Sequence, residues 1–145
     1  MEENNKLTIY TDGGARGNPG PAGIGVVINE NPAMGFKAKH YSETIGRTTN
    51  NVAEYKAVIF ALKKAKLLLG GDKANEVEIE IKSDSEFVVR QLNGTYKLKD
   101  EELKPFFIEI WNLKQDFKNV SFSHVPREHN TTADSLVNRA LDTLL

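Results

Sequence analysis

Two segments of this chain alternate apolar and polar residues and then stop on an aspartate, and no other feature limits its fold so strongly. Leu7, Ile9 and Thr11 fall on one face of the first segment and Thr8, Tyr10 and Asp12 on the other. From Glu76 to Asp84 the second repeats the pattern, with Val77, Ile79 and Ile81 on one side. A period of two is that of a half-buried strand, so Asp12 and Asp84 are expected as the last residues of two strands. Asp12 is followed by Gly13, Gly14, Gly17 and Gly20, with Pro19 and Pro21 among them. Such a run turns tightly and lets backbone approach a ligand closely. A carboxylate beside exposed backbone N–H groups suits a hard cation and the phosphate it carries, although an isolated Asp-Gly-Gly also serves as an ordinary hairpin mouth.

The remaining segments assign partners to these strands. Ala22 to Ile28 is a glycine-spaced strand, Asn29 to Gly35 a turn, and Phe36 to about Ile45 a second hairpin arm. Three sequential strands with short links predict an antiparallel meander. Between Asn51 and Leu69 the period lengthens: Val52, Tyr55, Ile59 and Leu62 form a helical stripe that Val58, Ala61 and Ala65 widen. Asn50 or Thr49 can cap this helix and Gly70-Gly71 ends it. A short helix capped by Ser85 runs to about Leu92. Another covers Pro105 to Phe117, with Phe106, Phe107, Ile110, Trp111 and Leu113 in its stripe. Val120 to Val125 is the last strand, and Asn130 caps a final helix with Leu136, Val137, Ala140, Leu141 and Leu144 inward. The order βββαβααβα predicts an α/β fold: a mixed five-stranded sheet, an antiparallel meander plus two parallel strands, flanked by helices.

With 145 residues, 39% of them hydrophobic, the chain is expected to form a single domain over 1–145. It has no cysteine, which excludes disulfides, thiolate metal sites and cysteine nucleophiles. No apolar run has the roughly 20 residues of a membrane span, and Met1 to Asn5 is acidic and polar, so a cytoplasmic protein is expected. The acceptor patterns at Asn93-Gly94-Thr95 and Asn130-Thr131-Thr132 are then chance matches. A net charge of −1 argues against gripping nucleic acid by bulk charge.

Among twenty acidic residues, position selects four. Asp12 and Asp84 end strands, where ligands collect in α/β sheets. Glu54 lies near the start of the long helix in line with Val58, Ala61 and Ala65, and Asp134 in the first turn of the last helix. Each of the latter two is also explained as a helix-dipole charge worth about 0.3–1 kcal/mol. If all four converge on one sheet edge they repel strongly unless cations neutralise them. An oxygen-only donor set selects Mg2+ or Mn2+ over zinc. Two such ions, about 3.5–4 Å apart, would activate water and stabilise the leaving oxygen of a phosphodiester.

Asp12-Gly13-Gly14 with Gly17-Asn18-Pro19-Gly20, then Thr49-Asn50-Asn51-Val52-Ala53-Glu54, Ser83-Asp84-Ser85 and Ala133-Asp134, resemble in order the type 1 ribonuclease H pattern, nearly end to end. The resemblance implies an RNase H-like fold and Mg2+-dependent (or Mn2+-dependent) endonucleolytic cleavage of the RNA strand of RNA/DNA hybrids. It further implies two ions held by Asp12, Glu54, Asp84 and Asp134, products with 5′-phosphate and 3′-hydroxyl ends, and a monomer. Gly13, Asn18, Asn50 and Asn51 would line the hybrid groove, and Arg47 with Thr49 would hold a phosphate of the DNA strand. His129 matches a loop histidine associated with proton transfer or product departure, at a short spacing of five residues before Asp134. His124 is expected to pack, and His40 is uninformative. Where the family often has a neutral amide this chain has Glu86, expected to repel phosphate or face solvent. Gly94 to Pro105 is brief, with Lys97, Lys99 and Lys104 offset by Asp100, Glu101 and Glu102, which implies weak electrostatic grip. The rival reading is a non-catalytic hybrid- or RNA-binding module of the same fold.

Overall fold

In the computed structural model, which describes residues 5–144, the first alternating segment forms β1, Lys6–Ala15. Leu7 and Ile9 are buried, as the alternation requires. The strand continues past Asp12 through both glycines, so Asp12 does not end it. The reason is one-sided pairing. Antiparallel to β1 runs β2, Gly20–Ile28, whose ladder extends to Ala15↔Ala22, whereas β4, Glu78–Ser83, pairs in parallel only as far as Thr11↔Ser83. Asp12 is the first β1 residue beyond the parallel ladder, and Asp84 follows the last residue of β4.

β3, Lys39–Thr48, starts and ends three residues later than expected and pairs antiparallel with β2; β5, Asn119–His124, lies parallel to β4. The strand order is β3-β2-β1-β4-β5, the mixed five-stranded sheet expected.

One sheet face is covered by α1, Asn50–Leu69. Its stripe meets Leu7, Ile9, Ile79 and Ile81 through Tyr55, Val58, Ala61 and Leu62. Of the two cap candidates, Thr49 acts: its Oγ1 accepts from Val52 N at 3.2 Å. The helix stops at Gly70, whose φ of 83° suits glycine, and a four-residue turn of helix, α2, Gly71–Ala74, follows that the sequence pattern did not indicate. Ser85 caps α3, Glu86–Leu92, by accepting from Val88 N at 3.3 Å. Inside the core, the Tyr55 hydroxyl donates to Gln91 Oε1 at 2.6 Å and ties α3 to α1.

α4, Lys104–Lys114, ends three residues before the expected Phe117. Ile110 is buried, but Trp111 is exposed, because the helix packs on one side only and its stripe is wider than its buried face. α5, Thr131–Asp142, lies over the other sheet face, where Ala133 and Leu136 meet Val27 and Tyr10. Val137, Ala140 and Leu141 are inward as expected, whereas Leu144 is exposed beyond the helix. Asn130 stands at the cap position but its side chain makes no cap hydrogen bond; Nδ2 donates instead to Thr11 O at 3.0 Å. His124 is exposed rather than packed, since it ends β5.

Candidate active site

Two glycines set how closely the helices come to the sheet. A Cβ on Gly13 would run into the backbone of Ala53 and stand 2.6 Å from Glu54 N. The bare glycine therefore lets the first turns of α1 rest on β1, which drives Glu54 inward. Gly25 does the same for α5: a Cβ there would strike the Ala133 carbonyl and lie 2.9 Å from Leu136 Cβ. That contact holds the first turn of α5, and Asp134 in it, against the sheet.

Asp12, Glu54 and Asp84 converge as a result. Each offers a carboxylate oxygen within 4.8 Å of the others. Asp12 is 7% and Glu54 8% exposed. Asp12 Oδ1 accepts from Gly13 N at 3.0 Å, while Glu54 Oε2 is buried with no hydrogen-bond partner. Asp134 is exposed and lines the same open hollow from its rim, together with Gly13, Asn50, Asn51 and Arg127.

The electrostatics follow from crowding. Burial, then the charge of Asp84, pushes the Asp12 carboxyl from 3.8 up to about 7, with a hydrogen bond from Glu54 opposing and Asp134 reinforcing the rise. Burial also pushes Glu54 well above the usual carboxylate range, and the adjacent charges of Asp12 and Asp84 add to it. Asp84 is raised by burial; the Arg127 guanidinium opposes this, Asp134 adds to it, and a hydrogen bond from Asn130 opposes it. Three mutually repelling carboxylates, one with an orphaned buried oxygen, fit a hard divalent cation, whose charge removes the repulsion.

The other expected site residues divide. Asn18 and Asn50 join the β1–β2 turn to α1: Asn18 Oδ1 accepts from Asn50 N at 3.0 Å, and Asn50 Oδ1 from Ala15 N at 2.8 Å. Arg47 and Thr49 do not line the carboxylate hollow; Arg47 is exposed at the end of β3, and the Thr49 hydroxyl is engaged in capping α1. His129 also lies outside it. It lines a separate hollow with Tyr10, Val27 and Asn29, because the 3-10 turn Arg127–His129 carries residue 129 away from Asp84. Arg127, which the sequence analysis did not select, is the residue of that turn that faces Asp84. Glu86 is exposed, with Oε1 3.8 Å from Arg90 Nε.

A mixed five-stranded sheet with strand order β3-β2-β1-β4-β5 and carboxylates gathered beside the central strand belongs to the RNase H-like class of folds. Residues 10–140 match the family model described as Reverse transcriptase-like. LC11-RNase H1, isolated from compost, is 50% identical and superposes with a TM-score of 0.86 over 97% of this chain and 98% of its own. The same protein has been solved in complex with an RNA/DNA hybrid. Ribonuclease HI of Halobacterium salinarum is 41% identical over 94% of this chain, and a bifunctional protein of Mycobacterium tuberculosis 39% identical over 94%. The chain spans 65% of the length of the former and 36% of the latter. It belongs to the type 1 ribonuclease H family.

Proposed function

We propose that the protein is a metal-dependent endonuclease that hydrolyses the RNA strand of RNA/DNA hybrids. The observation that carries this reading is the convergence of Asp12, Glu54 and Asp84 within 4.8 Å, with Glu54 Oε2 buried and unpartnered. A module that only bound nucleic acid would gain nothing from a buried cluster of like charges, which costs stability whenever it ionises without a cation.

Asp12, Glu54 and Asp84 would hold the ions, with Asp134 completing the set from the rim. Bound Mg2+ or Mn2+, two per site, would supply the charge that activates water and takes up negative charge on the leaving oxygen. In the net reaction, water adds to phosphorus and the P–O3′ bond breaks, leaving a 5′-phosphate and a 3′-hydroxyl that has gained a proton. Gly13, Asn50 and Asn51 line this hollow and, with Asn18 bonded to Asn50 N, would face the hybrid. The RNA strand is distinguished by its 2′-hydroxyl, and Arg47 with Thr49 would contact a phosphate of the DNA strand outside the hollow.

One assay tests the reading: labelled RNA/DNA hybrid, RNA duplex and DNA duplex, each with Mg2+, Mn2+ or chelator. Hybrid cleavage with metal only is expected. An intact hybrid with both ions would refute it, as would an Asp84→Asn variant that remains folded and retains wild-type turnover.

A further inference from the structure

Glu54 and Asp84 reach the carboxylate cluster on different elements. Glu54 belongs to α1, which lies over the sheet, whereas Asp84 follows the last residue of β4 and precedes α3. The chain around Asp84 is stiff. Ser83 Oγ accepts from Ser85 N at 3.1 Å across it, and Ser85 Oγ in turn caps α3 through Val88 N. The end of β4, Asp84 and α3 therefore act as one piece, and the spacing of Glu54 from Asp84 depends on how α1 is set against that piece.

A directional bond joins the two. Tyr55 is fully buried and directly follows Glu54; its hydroxyl donates to Oε1 of the equally buried Gln91 on α3 at 2.6 Å. Around this bond Val58 and Leu62 of α1 share an apolar cluster with Val88 and Leu92 of α3. Such contacts hold the helices together, but they are non-directional and tolerate sliding. A buried and satisfied hydrogen bond specifies one register. Cohesion does not require it, since an apolar pair of the same shape is nearly as stable or more so.

We infer that the Tyr55–Gln91 hydrogen bond sets the spacing of Glu54 and Asp84 for divalent ions, which makes Tyr55 and Gln91 positioning residues of the site. This rests on the metal-dependent, hybrid-cleaving reading above. Ligand atoms hold an ion only within about 0.2 Å of its preferred distances, and a misplacement of about 1 Å can cost about a hundredfold in rate. A slide of α1 on α3 too small to loosen the core is therefore large for the chemistry.

The test compares wild type, Tyr55→Phe and the double variant Tyr55→Phe/Gln91→Met, which replaces both polar ends by apolar groups of similar shape. Stability is followed by urea unfolding in chelator, Mn2+ binding without nucleic acid by calorimetry, and cleavage of hybrid by steady-state kinetics. Tyr55→Phe leaves Gln91 Oε1 without its donor and should lower the urea midpoint, which the double variant should regain. The site should not recover with it. Mn2+ affinity and kcat are expected to fall about ten- to hundredfold in both variants, with KM for hybrid changed less than about twofold. Wild-type Mn2+ affinity in the double variant would overturn the inference. So would a double variant as unstable as Tyr55→Phe, since the bond would then hold the fold rather than its register. A wild type that binds Mn2+ but leaves hybrid intact would refute the hybrid-cleaving reading alone, and the Mn2+ affinities of the variants would still decide this one.

Discussion

The crowded carboxylates should make the metal-free protein less stable at neutral pH than in mild acid, opposite to the usual behaviour of a paired carboxylate. Asp12 has a folded-state pKa raised by burial and by Asp84 from 3.8 to about 7. The folded protein therefore binds more protons than the unfolded chain between those values, and its stability falls as pH rises through that window. The displacement corresponds to an upper limit of about 4 kcal/mol for Asp12 alone, and relaxation of the hollow and water entry bring the expected loss to about 2–4 kcal/mol. Typical domains have about 5–15 kcal/mol in total, so the loss is a large fraction. Glu80 acts in the opposite sense: burial raises its pKa, but Lys6 and Ser123 outweigh this and lower it, so its contribution is lost as pH falls through that lowered value. The window to measure is thus the one between pH 3.8 and about 7, by urea unfolding followed by circular dichroism in chelator. Wild type should lose stability across it and regain it on adding Mg2+, by mass action. Asp12→Asn keeps an oxygen for Gly13 N and removes one charge, so its decline should be less than half that of wild type. A flat or rising wild-type profile, or an equal slope in Asp12→Asn, would refute the electrostatic account.

Gly13→Ala forces a methyl into the backbone of Ala53 and should cost about 1–3 kcal/mol or more, with metal binding weakened because Glu54 moves off Asp12; thermal melts and calorimetry check both. Thr49→Ala removes the α1 cap at Val52 N and should cost about 1 kcal/mol in urea unfolding. Salt titration of hybrid affinity should give a shallow slope, because Lys97 and Lys99 in the loop before α4 stand among Asp100, Glu101 and Glu102; a slope of many released counterions would contradict this.

The sequence pattern identified the sheet and the carboxylates because both are local. Alternation marks Leu7 to Thr11 and Val77 to Ile81 as strand whatever they pair with, and an aspartate after such a run stands out. What sequence could not supply is which side of a strand pairs, how near a helix comes, and where a loop points. β1 runs on past Asp12 because β2 continues beside it after β4 has stopped, a fact of two partners rather than of residues 6–15. Gly13 and Gly25 look alike in sequence to the turn glycines, yet theirs are the contacts that press α1 and α5 onto the sheet. Asn130 shows how such contacts redirect a local preference. Its type and position match a helix cap, but the buried side chain donates its amide to Thr11 O on β1 rather than accepting from the start of α5. That bond closes the loop around a 3-10 turn and fixes which of its side chains faces the carboxylates. The family resemblance pointed to His129 despite its short spacing to Asp134; the turn presents Arg127, two residues earlier, towards Asp84, while His129 lines a separate hollow. A motif can thus locate a loop beside a candidate site, while which of the loop's side chains faces that site is set by how the loop is tied down.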